Sequence, residues 1–300
     1  MQILERIKIV PKKKEKEPKF QVLILENKPA QNSYHGEILG RSLADWVAFA
    51  CNGKSVKIVD FDGKTKLVSF AKDYIDKNFD YTVILLSTTP LITKSTIDNI
   101  IEYSEFKQVN LCKLPVGYVV KNKYLLDAET PTVDSLYSQN LEDFFLVENK
   151  KQYAQAEEVL QDRINTFHIN NGVEIKKPKS VYIEPEVDIA DGVVIFAGNT
   201  LKGQTIIDED VILKENNVIE NSTIGKYSCI SGSVITNTKL ASNVYISAFS
   251  EIKNSSIGEN TIIEAGCKIC NYKLKASSKI KANSVLGENN DSNSGVGKSR

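Results

Sequence analysis

The stretch "ILLSTTPLI", Ile84 to Ile92, is an apolar run that ends in three hydroxyl side chains and a proline. Such a run is typical of a buried strand, and ligands of open α/β sheets bind at the carboxyl ends of strands. Ser87 and Thr88 are therefore candidate ligand-binding residues. A hydroxyl is neutral at pH 7 and only assists a magnesium ion that anionic oxygens already hold. We expect a residual pocket here, with no catalytic residue and no bound metal.

Four further candidates for a residual pocket lie elsewhere in the sequence. Asn27 and Lys28 follow the strand-like run "VLIL", and Ser33 lies in the loop after it. Lys28 can approach a phosphate, but a surface lysine is the simpler interpretation, because phosphate sites use nests of backbone amides. Asn149, in "VENKK", is either a metal ligand or, with Gln152, the N-terminal cap of a helix. We favour the cap.

The elements that would position these residues alternate between strand-like and helix-like segments, which is typical of βαβ units and a largely parallel sheet. Strands are predicted over 20–26, 55–61 and 80–87, helices over 42–51, 67–78 and 94–106, and short strands at 108–112 and 116–120. We therefore predict a compact α/β domain at residues 20–148.

A helix that links two domains is predicted within residues 149–172. In "YAQAEEVLQDRINTF" the apolar residues recur at steps of three and four. They are Tyr153, Ala156, Leu160, Ile164 and Phe167. The "NNG" at residues 170–172 is a typical helix stop.

A periodic repeat begins near Ser180 and predicts a three-sided, left-handed parallel β-helix of hexapeptide repeats over residues 173–286. Large aliphatic anchors recur at steps of six, and later of six, six and five: Ile183, Ile189, Ile195, Leu201, Ile207, Leu213, Ile219, then Leu240, Ile246, Ile252, Ile257, Ile263, Ile269, Leu274, Ile280 and Leu286. Small or branched residues stand two positions before many anchors: Val187, Val193, Thr205, Val211, Val244, Ser250 and Thr261.

Four asparagines, each three residues before an anchor, predict a polar ladder at one corner of the β-helix. They are Asn221, Asn237, Asn254 and Asn271. Asparagine tolerates the left-handed backbone region that a tight corner demands. A polar binding strip is the alternative interpretation. Cys267 and Cys270 form a CxxC, but no second pair or nearby histidine completes a metal set, so we interpret both as repeat positions.

The composition excludes several classes of partner and setting. The chain has 300 residues, with 38 basic and 38 acidic side chains, so neither nucleic acid nor anionic lipid is a favoured partner. It shows neither a signal peptide nor a membrane-spanning run, which predicts a cytoplasmic protein, and its five cysteines are expected to be reduced thiols. Residues 1–19, with "KKKEKEPK", and 287–300 are predicted to be a flexible arm and a disordered tail.

The α/β domain, the helix "AQAEEVLQDRINTFHINNGV" and the following "YIEPEVDIADGVVIFAGNTLKGQTII" together resemble the bacterial bifunctional UDP-N-acetylglucosamine pyrophosphorylase and glucosamine-1-phosphate acetyltransferase family. The resemblance is good from about Val147 to Leu286 and weaker before. It implies a shortened, Rossmann-like nucleotidyltransferase-type domain, a β-helix that trimerises, and a cytoplasmic role near cell-envelope precursor synthesis.

The sequence departs from this family at the positions that serve its chemistry. The resemblance implies a glycine-rich loop after the first strand, carrying an arginine and a lysine; "LGRSLADWV" is the nearest match, and Ser33 takes the place of the lysine. Thr88 replaces a magnesium-binding aspartate, while Asn149 matches the second metal ligand. "PVG", Pro115 to Gly117, replaces the sugar-binding "NTG", and no uracil-reading segment is found.

The sequence also lacks the residues that acetyltransferase activity requires in this family. Hexapeptide acyltransferases use a histidine as general base, whereas His35 and His168, the two histidines, lie outside the repeat. The chain also stops where the family's acetyl-CoA coils would continue.

We therefore expect a degenerate, truncated and non-catalytic homologue that needs no cofactor. It would act as a scaffold, a regulatory subunit or a nucleotide-sugar binder in cell-envelope precursor metabolism, as a homotrimer with a possible protein partner. One alternative is an active sugar-1-phosphate nucleotidyltransferase that uses magnesium in a rebuilt pocket. A second alternative is a purely structural trimeric assembly platform.

Overall fold

The computed structural model describes residues 19–27, 37–52 and 54–287, which form two compact units. Unit 1 contains the described residues up to 27 and Ser42–Gln152. Unit 2 contains the short segment 37–41 and the chain from Tyr153 onward. The predicted arm and tail, apart from Lys19 and Gly287, lie outside the described residues.

Unit 1 is built on one six-stranded sheet with the order β2–β1–β3–β5–β4–β6. Its strands are β1 (Phe20–Asn27), β2 (Ser55–Phe61), β3 (Tyr81–Leu86), β4 (Leu111–Lys113), β5 (Tyr118–Lys121) and β6 (Ser135–Leu136). Its helices are α1 (Leu43–Ala50), α2 (Leu67–Ala71), α3 (Lys94–Lys107) and α4 (Asn122–Asp127), with 3₁₀ turns at Lys72–Tyr74 and Leu141–Phe144. β1, β2 and β3 are parallel, whereas β5 runs antiparallel to β3 and β4.

The central strands are mostly apolar, and both faces of the sheet are covered, as is usual for parallel sheets. Val22 and Ile24 of β1 pack in one core with side chains of α1 and α3. Leu23 and Leu25 of the same strand pack in a second core with side chains of α2 and α4. The predicted α/β architecture is therefore present.

Two elements of unit 1 differ from the sequence-based expectation. The helix predicted over 67–78 ends at Ala71 and continues only as a 3₁₀ turn, since Ile75 has an extended backbone. Helix α4 was not predicted from periodicity. Its buried first residue, Asn122, donates its side-chain amide to the carbonyls of Phe79 (2.9 Å) and Asp76 (3.1 Å). Tertiary hydrogen bonds place this helix.

Helix α5 (Lys150–Asn170) leads into a parallel β-helix of three sheets. Sheet I contains β7 (Glu174–Ile175), β10 (Val194–Ile195), β13 (Ile212–Leu213), β16 (Cys229–Ile230), β19 (Tyr245–Ile246), β22 (Ile262–Ile263) and β25 (Lys279–Ile280). Sheet II contains β8 (Tyr182–Ile183), β11 (Thr200–Lys202), β14 (Val218–Glu220), β17 (Val234–Thr236), β20 (Glu251–Lys253), β23 (Lys268–Cys270) and β26 (Val285–Leu286). Sheet III contains β9 (Asp188–Ile189), β12 (Ile206–Ile207), β15 (Thr223–Ile224), β18 (Lys239–Leu240), β21 (Ser256–Ile257) and β24 (Lys273–Leu274).

The predicted anchors form one continuous core inside the β-helix, and only Ile280 and Leu286, near its end, are partly exposed. The predicted small or branched positions, such as Val193 and Thr205, are buried as well. Ile224, the anchor that follows Asn221, is buried as well, and Ile230 and Ile235 are additional inward anchors. The latter two escaped the sequence analysis because shortened coils between Ile219 and Leu240 break the six-residue period.

The asparagine ladder is present at the corner between sheets II and III. Asn221, Asn237, Asn254 and Asn271 all have left-handed backbones, with φ between 48° and 53°. The side chain of Asn237 donates to that of Asn254 (3.3 Å). This ladder satisfies polar groups at a corner where neighbouring strands cannot.

A second ladder, which the sequence analysis missed, lies inside the β-helix. The buried Asn217 donates its side-chain amide to the side chain of Asn199 (2.9 Å), and its own oxygen accepts the backbone N–H of Ser233 (3.0 Å). Both carboxamides are completely buried. They are stable there because every coil supplies the next with a partner.

Helix α5 packs on the first coil, but not through all of its predicted face. Ala156 and Leu160 are buried, whereas Phe167 is 63% exposed, so its predicted contact is wrong. Asn165 and His168 are buried in its place. The amide of Asn165 donates to the carbonyls of Pro178 (2.9 Å) and Val181 (3.1 Å), which turns this side of the helix towards the coil. No helix in the described part of the chain is long and apolar enough to cross a membrane.

Burial of His168 predicts a pH-dependent stability. Burial lowers the pKa of its imidazole, and the nearby Asp188 only partly opposes this effect. The unfolded chain therefore binds a proton more readily than the folded chain, so stability should fall as the pH drops below the ordinary histidine pKa of about 6.5. We expect the melting temperature to decrease more between about pH 8 and pH 5 for the wild type than for His168→Gln, as measured by circular dichroism. Equal decreases would show that the imidazole does not contribute.

Candidate functional site

The candidate site is the carboxyl edge of the sheet of unit 1. Leu25 of β1 lies beside Leu86 of β3, so both strands end at the same edge. The backbone N–H of Ser87 donates to the carbonyl of Leu25 (3.0 Å), which continues the pairing beyond β3. The backbone of Asn27 ends β1 at this edge. Lys28 and Ser33 lie outside the described residues.

The "STTP" turn uses its polar groups to close on itself. Thr89 is completely buried and donates its hydroxyl to the carbonyl of Leu86 (2.8 Å). Ser87 is buried, and Thr88 is half-buried. The carbonyl of Thr88 accepts the backbone N–H of Val147 (2.8 Å), which brings a distant segment to the turn.

That segment leads to Asn149, whose side chain caps helix α5. Its carboxamide oxygen accepts the backbone N–H groups of Lys151 (3.1 Å) and Gln152 (3.0 Å). In return, the side-chain oxygen of Gln152 accepts the backbone N–H of Glu148 (2.9 Å). This arrangement is close to the capping box expected from the sequence, except that Gln152 accepts the N–H of Glu148 instead of that of the cap residue Asn149. Ser87, Thr88 and the Asn149 segment thus share one region, although they are far apart in the chain.

The same edge carries carboxylates that the sequence analysis did not consider. Glu26 of β1 lies beside Asp60 of β2 in the parallel register, so their side chains share a face of the sheet. Asp62 follows β2 and accepts hydrogen bonds from the hydroxyl and N–H of Thr65 and the N–H of Lys64, which lower the pKa of its carboxyl. The sequence signal that could have identified them is the presence of acidic residues at the ends of predicted strands. Paired carboxylates disfavour a bound phosphate.

The buried carboxylate of Asp143 has a structural explanation. It accepts the hydroxyl of Thr93 (2.8 Å), which is the N-terminal cap of α3, and the hydroxyl of Thr96. A carboxylate is stabilised near the N-terminus of a helix. Asp143 therefore attaches the 3₁₀ turn at Leu141–Phe144 to α3.

The loop after β1 supplies one described cation, and it is already engaged within unit 2. Arg41, the basic residue of "LGRSLADWV", forms an ion pair with Glu186 (Nε to Oε1, 2.6 Å). It ends a tight turn in which Ile38 and Leu39 are buried and Leu39 has a φ of +49°. A non-glycine residue in this region indicates that the surrounding packing enforces the turn.

The "PVG" segment forms the turn between β4 and β5. The backbone N–H of Leu114 donates to the carbonyl of Gly117 (3.1 Å). Gly117 has a φ of +106°, and a Cβ there would lie 2.1 Å from the carbonyl oxygen of Ile84. Glycine is required because the turn touches the backbone of β3.

The thiols do not form a nucleophilic or metal-binding group. Burial raises the pKa of Cys51 to about 12 and that of Cys112 to about 11, so both stay protonated near neutral pH. Cys267 points into the core of the β-helix, where its thiol donates to the carbonyl of Lys281 (3.2 Å), and Cys270 lies on an outer face, as expected for repeat positions. Among the described residues, no cluster of histidine, cysteine, aspartate or glutamate is arranged to hold a metal ion.

A groove in unit 2, with a volume of about 830 Å³, lies between α5 and the first coil. Its charged lining is mixed and includes Glu157, Asp162, Arg163 and Lys179. Burial and nearby carboxylates, first among them Glu184, raise the pKa of Tyr182 at its edge. Charges of both signs line the groove, so its electrostatics favour neither an anionic nor a cationic ligand.

Comparison with known proteins shows which proteins the chain is similar to. Residues 203–296 match the model of the family described as "GlmU-like, C-terminal hexapeptide". "Bifunctional protein GlmU" of Streptococcus thermophilus is 30% identical over 267 residues, which cover 75% of this chain and 55% of that protein. The protein of the same name from Bacillus velezensis is 33% identical over 132 residues, or 44% of this chain and 29% of its own length.

The chain is thus similar to the GlmU proteins, and residues 203–296, which include part of its left-handed β-helix, match the GlmU-like hexapeptide family. It spans about half the length of the first of these relatives. Among solved structures, a mutant of perosamine N-acetyltransferase from Caulobacter crescentus, in complex with CoA and GDP-perosamine, aligns with 8% identity over 88% of this chain and 90% of its own, with a TM-score of 0.28. That likeness is too low to carry a functional argument.

The capping box predicts the effect of two substitutions. Asn149→Ala removes the acceptor for two backbone N–H groups and should lower the free energy of unfolding by about 1 kcal/mol. Gln152→Ala removes the reciprocal bond but keeps the Asn149 carboxamide, so it should cost less. Chemical denaturation followed by circular dichroism measures both. An unchanged stability for Asn149→Ala would contradict the cap.

Proposed function

We propose that this chain is a non-catalytic homologue of sugar nucleotidyltransferases that acts as a scaffold or regulatory subunit in cell-envelope precursor metabolism. The supporting observation is that three polar groups at the carboxyl edge of unit 1 already have internal partners. The Thr89 hydroxyl, the Thr88 carbonyl and the Asn149 carboxamide oxygen each accept or donate within the fold.

Nucleotidyl transfer requires strong electrostatic stabilisation of the phosphates by cations, backbone amides and a metal ion. Arg41 is paired with Glu186, and the side chains next to Thr88 are neutral hydroxyls. Glu26 and Asp60 add carboxylates at the same edge, which repel a triphosphate unless a bound cation bridges the two. The described part of this edge therefore stabilises a triphosphate poorly by itself.

The scaffold function rests on the β-helix, whose core is continuous from Val173 to Leu274. Flat sheets and repeated coils suit side-by-side association of identical chains. We propose a homotrimer in a cytoplasmic setting, which can still bind a nucleotide-sugar or a protein partner without turnover.

An active enzyme with a rebuilt pocket is the second candidate. It is favoured by the finding that Ser87, Thr88 and the Asn149 segment meet at one edge, together with the end of β1 at Asn27. In this case magnesium would be held by oxygen ligands from this edge, and Lys28 would approach the phosphates.

A ligand titration with a pyrophosphate-release assay separates these two candidates. With UTP, UDP-N-acetylglucosamine and Mg²⁺, we expect no pyrophosphate release; a nucleotide-sugar that binds would raise the melting temperature without turnover. Turnover that Asn149→Ala abolishes and Gln152→Ala retains would establish the enzyme, since both variants weaken the cap but only one removes the carboxamide. A flat response to all ligands would favour the purely structural platform.

The proposed trimer predicts the mass of the chain in solution. Multi-angle light scattering should report three chains of 33.4 kDa each at micromolar concentration. A mass of one chain would contradict the trimer and, with it, the assembly platform.

A further inference from the structure

The outer surfaces of sheets I and III differ in polarity. The outward residues that directly precede the anchors of sheet I form an uncharged column through five successive coils: Val194, Ile212, Cys229, Tyr245 and Ile262. This column, here called the apolar face, ends at Glu174 on one side and Lys279 on the other. The corresponding column of sheet III is mostly polar or charged: Asp188, Ile206, Thr223, Lys239, Ser256 and Lys273.

An aromatic residue protrudes from the corner between sheets I and II. Phe249 is 84% exposed and has a left-handed backbone with φ +63°. Equivalent corner positions of the neighbouring coils are Gly232, whose carbonyl accepts the Phe249 N–H (2.9 Å), and Gly266. A bulky residue in this conformation is strained. Its exposed ring gains nothing from packing within a single chain.

We propose that the apolar face is the contact surface for a second copy of this chain, with Phe249 of each copy packing on Tyr245 of the next. This inference rests on the proposed trimer and names the surface that forms it. Flat faces of three-sided prisms cannot all lie flush around a threefold axis. A corner of each copy must therefore pack on a face of its neighbour, and the Phe249 corner adjoins the apolar face.

The level of the coils favours this pairing. In a closed ring whose axis is parallel to the β-helix, equivalent coils of all copies lie at the same height. Phe249 lies three residues after the end of β19, the strand that contains Tyr245, so the two residues belong to the same coil. Aromatic side chains buried at the centre of an interface supply much of its binding energy.

One charge beside the apolar face complements the corner at the same level. Lys214 follows β13, and the exposed Glu215 lies in the turn at the corner of the same coil, one residue before the left-handed Asn216. A corner packed on the face of the next copy therefore places Lys214 of one copy near Glu215 of the next. Glu264 and Lys268, nearer the other end of the apolar face, already form ion pairs within the chain, with Lys279 (3.5 Å) and Glu251 (3.6 Å).

Two matched substitutions test the surface. Ile262→Asp charges the apolar face, and Ile206→Asp places the same charge on sheet III at almost the same exposure, 43% against 44%. We expect Ile262→Asp to raise the dissociation constant of the trimer about thirtyfold or more, as for a buried hot spot, and Ile206→Asp to leave it unchanged. Light scattering across a dilution series measures both, and circular dichroism confirms folding.

Phe249→Gly provides a test that does not depend on introducing a buried charge. Removing the side chain relieves the strain of the left-handed backbone, so we expect an equal or higher melting temperature for the dissociated chain but weaker association.

Cys229 lies on the apolar face and provides a direct test of contact with the next copy. Its alkylation by a maleimide should be faster in Ile262→Asp than in the wild type.

The outcomes distinguish the two proposals. A monomeric wild type would overturn both the trimer and this surface. A trimeric wild type that Ile206→Asp dissociates and Ile262→Asp does not would overturn the surface and leave the trimer intact. Weakening by Lys214→Glu and recovery in Lys214→Glu/Glu215→Lys would support the pairing, whereas no recovery would contradict the assigned levels.

Discussion

The fold of unit 2 depends on the stacking of coils that are too short to be stable individually. Each strand of the β-helix has only two or three residues, so its hydrogen bonds and its buried aliphatic side chain are completed by the coils before and after it. The stack demands a sharp turn at every corner. Asparagine and glycine meet this demand at most corners, and buried carboxamides such as Asn217 connect the coils where the strands end.

In unit 1, too, polar groups at the ends of strands are hydrogen-bonded within the fold. The carboxyl edge of a parallel sheet exposes strand ends that in many α/β proteins are available to ligands. Here the turn after β3 and the segment before α5 bond to each other through Thr88 and Val147, and Asn149 satisfies the start of the helix. Groups used in this way stabilise the fold. This contrast between a consolidated edge and an intact β-helix underlies the proposed scaffold.

The predictions made from the sequence agree best with the structure where the spacing of residues indicates which side chains are buried or form local hydrogen bonds. The anchor positions, the left-handed asparagines and the capping box were all predicted from spacing, because each depends on residues within one coil or one helical turn. Spacing failed at the shortened coils around Ile230 because five-residue steps break the six-residue period. It also failed at Phe167 and at α4, where contacts with other parts of the chain decide the conformation.

By itself, the sequence determined the alternation of strands and helices, the repeat and its inward residues, since these follow from local backbone preference and hydrophobic period. Only the tertiary structure decided which polar groups meet at the edge of the sheet and that Arg41 pairs with Glu186. It also decided that the apolar outward residues align on sheet I beside Phe249. These relations depend on the register of strands and coils distant in sequence, which no local pattern encodes.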